Sequence, residues 1–181
     1  MTVQLTTKER MLMQDQKSQE ELCVQKYHSY AGLAQDPQLK QLFSSLAQKE
    51  QEHLNSINQI LSGQIPAMGA QSGGQSQQKS MQPGMQSQGQ SGMQSQGQPG
   101  TTRGQSGQGT GGTQSGMFSD KNLCSDMLST EKYVSSAYDT AIFECTDASI
   151  RQVLNHIQKE EQEHGEQIFN YMQSHGMYST Q

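Results

Sequence analysis

The stretch "QKEQEHLNSINQIL" runs from Gln48 to Leu61, and "QKEEQEHGEQIFNYM" runs from Gln158 to Met172. Each carries a Glu-x-x-His phrase, and the two histidines, His53 and His164, stand 111 positions apart (164 less 53). The same offset pairs Leu12 with Leu123, Asp15 with Asp126, Glu20 with Glu131, and Tyr27 with Tyr138. It continues without a gap through Asp36 and Asp147, Leu46 and Ile157, Glu50 and Glu161, and Ile57 and Ile168. The chain therefore reads as an internal repeat, and the content of one repeat decides the fold.

Each copy reads as a helical hairpin. Thr6-Thr7-Lys8-Glu9 has capping-box spacing, with Thr6 as the N-cap. Asp36-Pro37 supplies an N-cap followed by proline at the first helical position. Ser119 or Asp120 opens the third helix, and Asp147 opens the fourth. Apolar residues recur in steps of three and four: Leu39, Phe43, Leu46, Ile57 and Ile60, then Ile150, Leu154, Ile157, Ile168 and Tyr171. The spacing predicts hairpins of about 7–34 with 37–61 and about 119–145 with 148–174. Two such hairpins make an all-α four-helix bundle.

The domain reading is a first hairpin at 1–62, a Gln/Gly/Ser/Met-rich segment at 63–117, and a second hairpin at 118–181. The middle segment repeats "GMQSQGQ" and has little to bury besides methionine, so it is expected to stay disordered. It reads either as a passive crossover or as a contributor to assembly. A flexible chain of about 55 residues spans roughly 40 Å, enough to return along a bundle of this size.

Composition removes several function classes. With 12 Lys+Arg against 17 Asp+Glu, the net charge of -5 leaves no basic footprint for nucleic acid. No apolar run approaches a membrane span. The opening "MTVQLTTKERMLMQDQ" has no apolar signal region, so synthesis in the cytoplasm is expected. Cys23, Cys124 and Cys145 imply neither a disulfide framework nor a zinc knuckle.

The gap in each apolar stripe holds the chemistry. The rhythm 39, 43, 46, 50, 53, 57, 60 puts Glu50 and His53 on the core side, and 150, 154, 157, 161, 164, 168, 171 does the same for Glu161 and His164. In the first helix the inward rhythm 16, 20, 23, 27, 30, 34 selects Glu20 over Glu21, and the repeat agrees by pairing Glu20 with Glu131. Glu20 lies 14 residues before Ala34 and Glu50 lies 14 after Asp36, so both reach one level about 21 Å from the turn. Four buried carboxylates need counter-charge. Two divalent cations supply it, and the mixture of carboxylate and imidazole suits iron or manganese. A Glu from each of two helices with Glu-x-x-His from each of the others is the donor set of dinuclear carboxylate bundles. The expected ligands are Glu20, Glu50, His53, Glu131, Glu161 and His164. Tyr27 and Tyr138 read as core aromatics, with hydrogen bonding to the ligands or redox participation as the alternative, Cys23 as packing, and His28, His156 and His175 as ordinary histidines. Glu52, Glu160 and Glu163 fall off the stripes and read as solvated.

Three stretches, "DPQLKQLF" (36–43), "EKYVSSAYDTAIFECTDASIRQVLNHI" (131–157) and "EEQEHGEQIFNYMQSHGMYSTQ" (160–181), resemble the spore coat protein F family. The resemblance covers both helical halves and fails across the Gln/Gly/Ser segment. It implies a ferritin-like body, a place in the spore coat, and other coat proteins or copies of itself as partners. The metal expectation rests on the six residues and not on the resemblance. The leading reading is a structural coat protein with two Fe or Mn ions. The alternative is a dinuclear redox enzyme acting on peroxide, like manganese catalase or rubrerythrin, although no rubredoxin-like cysteine cluster is present to deliver electrons.

Overall fold

The computed structural model describes residues 3–67 and 118–178. Four helices fill them: α1 (Thr7–Leu33), α2 (Pro37–Leu61), α3 (Asp120–Glu144) and α4 (Ala148–Ser174). The expected disorder of the Gln/Gly/Ser segment concerns residues almost all of which lie outside this description. Among the described residues, no helix is long and apolar enough to cross a membrane.

The helix boundaries follow the capping chemistry. Thr6 and Glu9 form a reciprocal capping box at α1, and Asp36 caps α2 with Pro37 at its start. Ser119 is the N-cap of α3 and Asp147 that of α4. A helix end needs such partners because its first amides have none within the helix. After α2 the chain turns at Gly63, whose φ of 83° is costly for a residue with a Cβ. Gly63 N–H there donates to Ile60 O and Gln64 N–H to Gln59 O, each at 2.9 Å.

The helices form a square in which α1 touches α2 and α3, and α4 touches α3 and α2. Lys8 pairs with Glu144 at 2.5 Å while Tyr30 OH bonds Asp126, so α1 and α3 run antiparallel. Tyr171 OH reaches Asp36 and His53 reaches Glu161, so α2 and α4 are antiparallel as well. With every neighbouring pair antiparallel, α2 ends and α3 begins at opposite ends of the bundle. These ends are roughly a helix length apart, about 40 Å.

Two matched clasps lock the hairpins together. The Glu9 carboxylate accepts from Thr146 N–H at 2.7 Å and Thr146 Oγ1–H at 2.9 Å, so the start of α1 holds the α3–α4 turn. The Asp120 carboxylate accepts from Gln35 N–H at 2.8 Å and Asp36 N–H at 3.0 Å, so the start of α3 holds the α1–α2 turn. Burial alone would raise the Glu9 carboxyl, but bonds from Thr146 and Thr6 outweigh it and hold the pKa at about 2.

The apolar core is in two pieces, each fed by all four helices. Met13, Ile57, Val134 and Leu154 belong to one, and Tyr27, Phe43, Met127 and Ile168 to the other. Each fully buried aliphatic side chain contributes about 1.5–3 kcal/mol. Between the two pieces lies a layer of charged and polar side chains.

Candidate metal centre

All six expected ligands lie in that layer. Glu20, Glu50 and Glu161 have no exposed surface, and Glu131, His53 and His164 are at most 3% exposed. Glu21, the rejected neighbour of Glu20, is exposed. Glu52 and Glu163 also face water, paired with Lys49 at 2.9 Å and Lys159 at 3.3 Å.

The donor atoms form two overlapping quartets. One atom each from Glu20, Glu50, His53 and Glu161 fall within 4.8 Å of one another, and so do atoms from Glu50, Glu131, Glu161 and His164. Glu50 and Glu161 belong to both quartets. Each remaining Glu-His pair belongs to one, with the glutamate and histidine drawn from the same hairpin. His53 Nδ1 lies 2.9 Å from Glu161 Oε1, and His164 Nδ1 lies 2.8 Å from Glu50 Oε1. The two imidazoles stack with centroids 5.4 Å apart.

The second oxygen of these carboxylates is met at best at longer range, with His53 Nδ1 3.5 Å from Glu50 Oε2 and 3.8 Å from Glu20 Oε2, and His164 Nδ1 3.9 Å from Glu131 Oε2. Oε2 of Glu20, Glu50, Glu131 and Glu161 is buried with no hydrogen bond. Leaving a buried charged acceptor unsatisfied costs several kcal/mol unless it protonates or finds a cation. The metal-free electrostatics show the strain. Burial pushes Glu20, Glu131 and Glu161 up. Burial would also raise Glu50, but its bonds to His164 and His53 bring it below the ordinary range. His53 is driven up by Glu160, Glu161 and Glu50 against the opposing effect of burial. The four carboxylates repel one another, so some are pushed toward the protonated form unless a cation offsets their charge.

Three residues outside the expected ligand set reach the layer. Tyr27 OH donates to Glu131 Oε1, and Tyr138 OH donates to Glu20 Oε1, so each hairpin's tyrosine holds the other hairpin's glutamate. They are core aromatics, as expected, and also hydrogen-bond donors to the site. Burial, with the nearby carboxylates, pushes both hydroxyls up and keeps them protonated. The expectation that Glu160 is simply solvated needs correction. Its Oε2 lies 3.0 Å from His53 Nε2 and 3.4 Å from His156 Nε2. An imidazole whose second nitrogen meets a carboxylate is fixed in tautomer and made a better ligand. The repeat held a signal for this residue, because the offset of 111 sets Glu160 against Lys49. His164 accordingly has no equivalent carboxylate from that position. Cys23 is fully buried, belongs to neither quartet, and has its thiol pushed far up by burial and the surrounding carboxylates.

A groove of about 670 Å³ between α3 and α4 reaches this layer, with Glu131 and Glu161 among its lining.

Comparison with known proteins adds to the geometry. Residues 119–181 match the family model of the Coat F domain. A curated relative, the uncharacterized protein YusN of Bacillus subtilis strain 168, is 32% identical over 64 residues, which is 35% of this chain and 58% of that protein. The match thus spans little more than half of that relative. No solved structure gives a significant match. The matched stretch is the α3–α4 hairpin, which supplies Glu131, Glu161 and His164, so this part of the chain is similar to the Coat F domain.

Proposed function

We propose that this protein is a spore coat component whose four-helix body holds two iron or manganese ions. The observation that carries the metal reading is the set of four buried carboxylate oxygens that accept no close hydrogen bond, one on each of Glu20, Glu50, Glu131 and Glu161. Two divalent cations would neutralise four carboxylates, and the oxygen and imidazole donors suit iron or manganese. Glu50 and Glu161, common to both quartets, would serve both ions. Glu20 with His53 would complete one position, and Glu131 with His164 the other. Ions of this kind supply Lewis acidity or redox capacity when bound. The protein's own part is positioning. Tyr27 and Tyr138 fix Glu131 and Glu20 by donating to one oxygen of each, and Glu160 fixes the His53 ring.

The coat assignment draws on the Coat F domain in the second hairpin. It implies residence in the spore coat, with other coat proteins or further copies of this chain as partners. Elemental analysis of the purified full chain tests the first half of the reading. Two ions per chain are expected, and fewer than one would sink it. Tagged protein expressed during sporulation tests the second half. Recovery outside the spore coat fraction would remove the coat assignment and leave the metal centre standing.

A further inference from the structure

The groove between α3 and α4 has a wall that the other hairpin does not reproduce. Gly165 lines it, and the offset of 111 sets Leu54 at the equivalent position on the α1–α2 face. Ser135 also lines it, and its counterpart is Val24. Leu54 and Val24 are both half-buried against their own hairpin. Two bulky apolar side chains therefore stand on the first hairpin where the second has a glycine and a serine.

We propose that this groove is the route by which a divalent cation enters the carboxylate layer, and that Gly165 keeps it open. The proposal rests on the dinuclear reading above. Size permits it, since a cation with six waters needs roughly 180 Å³ at about 30 Å³ per water, and the groove offers about 670 Å³. Charge favours it, because Asp139 and Glu166 stand on the exposed outer part while Glu131 and Glu161 lie buried within. Lys132 is the one cation among the lining residues, so the groove is net negative and draws cations inward. Hydroxyl and amide groups of Ser135 and Gln162 offer oxygen donors along the way, the kind that replace the waters of a hard cation. The route also has a destination, because Glu131 and Glu161 are 2% and 0% exposed and each keeps one buried oxygen that accepts no close hydrogen bond.

Glycine matters here through space. A Cβ at position 165 would sit 3.7 Å from Leu128 Cδ1 and 3.9 Å from Glu131 Cβ, ordinary contact distances. Alanine therefore fits, whereas a leucine must extend into the groove beside Glu131.

The test is stopped-flow loading of the metal-free full chain with Mn(II), followed by an indicator for the free ion. Gly165→Leu is expected to load roughly tenfold more slowly, with unchanged helicity and the same final two ions. Gly165→Ala is expected to fall between. Adding Leu54→Ala to Gly165→Leu opens the equivalent face of the first hairpin and is expected to restore part of the rate. Asp139→Asn with Glu166→Gln is expected to slow loading at low salt and to matter less at high salt. If Gly165→Leu loads two ions at the wild-type rate, the route is wrong while the centre stands. If the wild type takes up no Mn(II), or any other divalent ion, the centre and its route fall together. Should Gly165→Leu lose helicity, Gly165→Ala and the Asp139/Glu166 variant decide, and wild-type rates in both overturn the route.

Discussion

The two hairpins carry the same three-residue plan and differ in what surrounds it. Each supplies one glutamate from its first helix and a Glu-x-x-His from its second, and each donates a tyrosine to the other's glutamate. Around that shared plan the copies diverge. The second hairpin sends Glu160 across to His53, whereas the first has Lys49 at that position, occupied with its own Glu52. The second has Gly165 and the first Leu54. Geometry that the ligands themselves need is duplicated, and geometry around the ligands is free to specialise. The centre is therefore nearly symmetric in donors and unsymmetric in support.

The largest expected effect tests the symmetric part. Metal that binds only the folded site stabilises by about 4 kcal/mol at a thousandfold excess over Kd. Chelation should lower the melting temperature of the wild type accordingly. Glu50→Ala and Glu161→Ala should each abolish most of that chelator response, to the same degree, because both residues belong to both quartets. A large difference between these two variants, measured by thermal melts with and without chelator, would break the equivalence of the copies.

Next in size is the pair of clasps. Glu9 titrates near pH 2 in the folded protein against an ordinary value of 4.5. A depressed carboxyl contributes stability that is full above the unfolded value and lost as pH falls through the folded one. Glu9→Gln is therefore expected to cost about 2 kcal/mol at neutral pH. That difference should shrink as pH falls below about 4.5 and vanish near pH 2. Asp120→Asn, at the equivalent but more exposed clasp, should cost under about 1 kcal/mol. Denaturant melts of both variants from pH 7 to pH 2 separate the two.

A smaller effect sharpens the unsymmetric part. Removing a carboxylate that orients a ligand imidazole weakens metal binding by about tenfold or more. Glu160→Gln should do so for one ion of the two, the one held with His53. Lys49→Gln should leave both affinities nearly unchanged. Isothermal titration that shows both ions weakened equally by Glu160→Gln would refute the asymmetry. Smallest of all, Glu52→Ala and Glu163→Ala, whose side chains make only exposed ion pairs, should change stability by less than about 1 kcal/mol.

What could be read from the sequence was whatever periodicity records. Helix starts were legible because Thr6, Asp36, Ser119 and Asp147 cap by local bonds. The buried polar layer was legible because Glu50, His53, Glu161 and His164 interrupt otherwise apolar stripes, and because the repeat chose Glu20 over Glu21. The helix α1 was the hardest to orient, since Gln16 and Glu20 occupy buried positions where apolar residues would have marked its inner face. Contacts between elements left no local trace. That Tyr27 meets Glu131, or that Glu9 meets Thr146, follows only once α1 and α3 are set antiparallel at one particular height. Glu160 escaped notice because it sits on the flank of α4, where a long side chain reaches inward from a position that counts as outside.

The split core also governs how the helices align. Two apolar clusters built on heptad-like spacing would tolerate a helix sliding by seven residues, because leucine and isoleucine meet similar neighbours after the shift. The polar layer does not tolerate it. Sliding α2 by one heptad would carry Glu50 to the level where Ile57 or Phe43 now packs, and strand a carboxylate among aliphatic side chains. A buried polar group at one level is a known device for fixing register and partner choice in helical assemblies. Here six such groups from four helices must coincide, so the layer acts as a register pin for the whole bundle. Each wrong alignment is penalised by the carboxylates alone, whatever the layer goes on to bind.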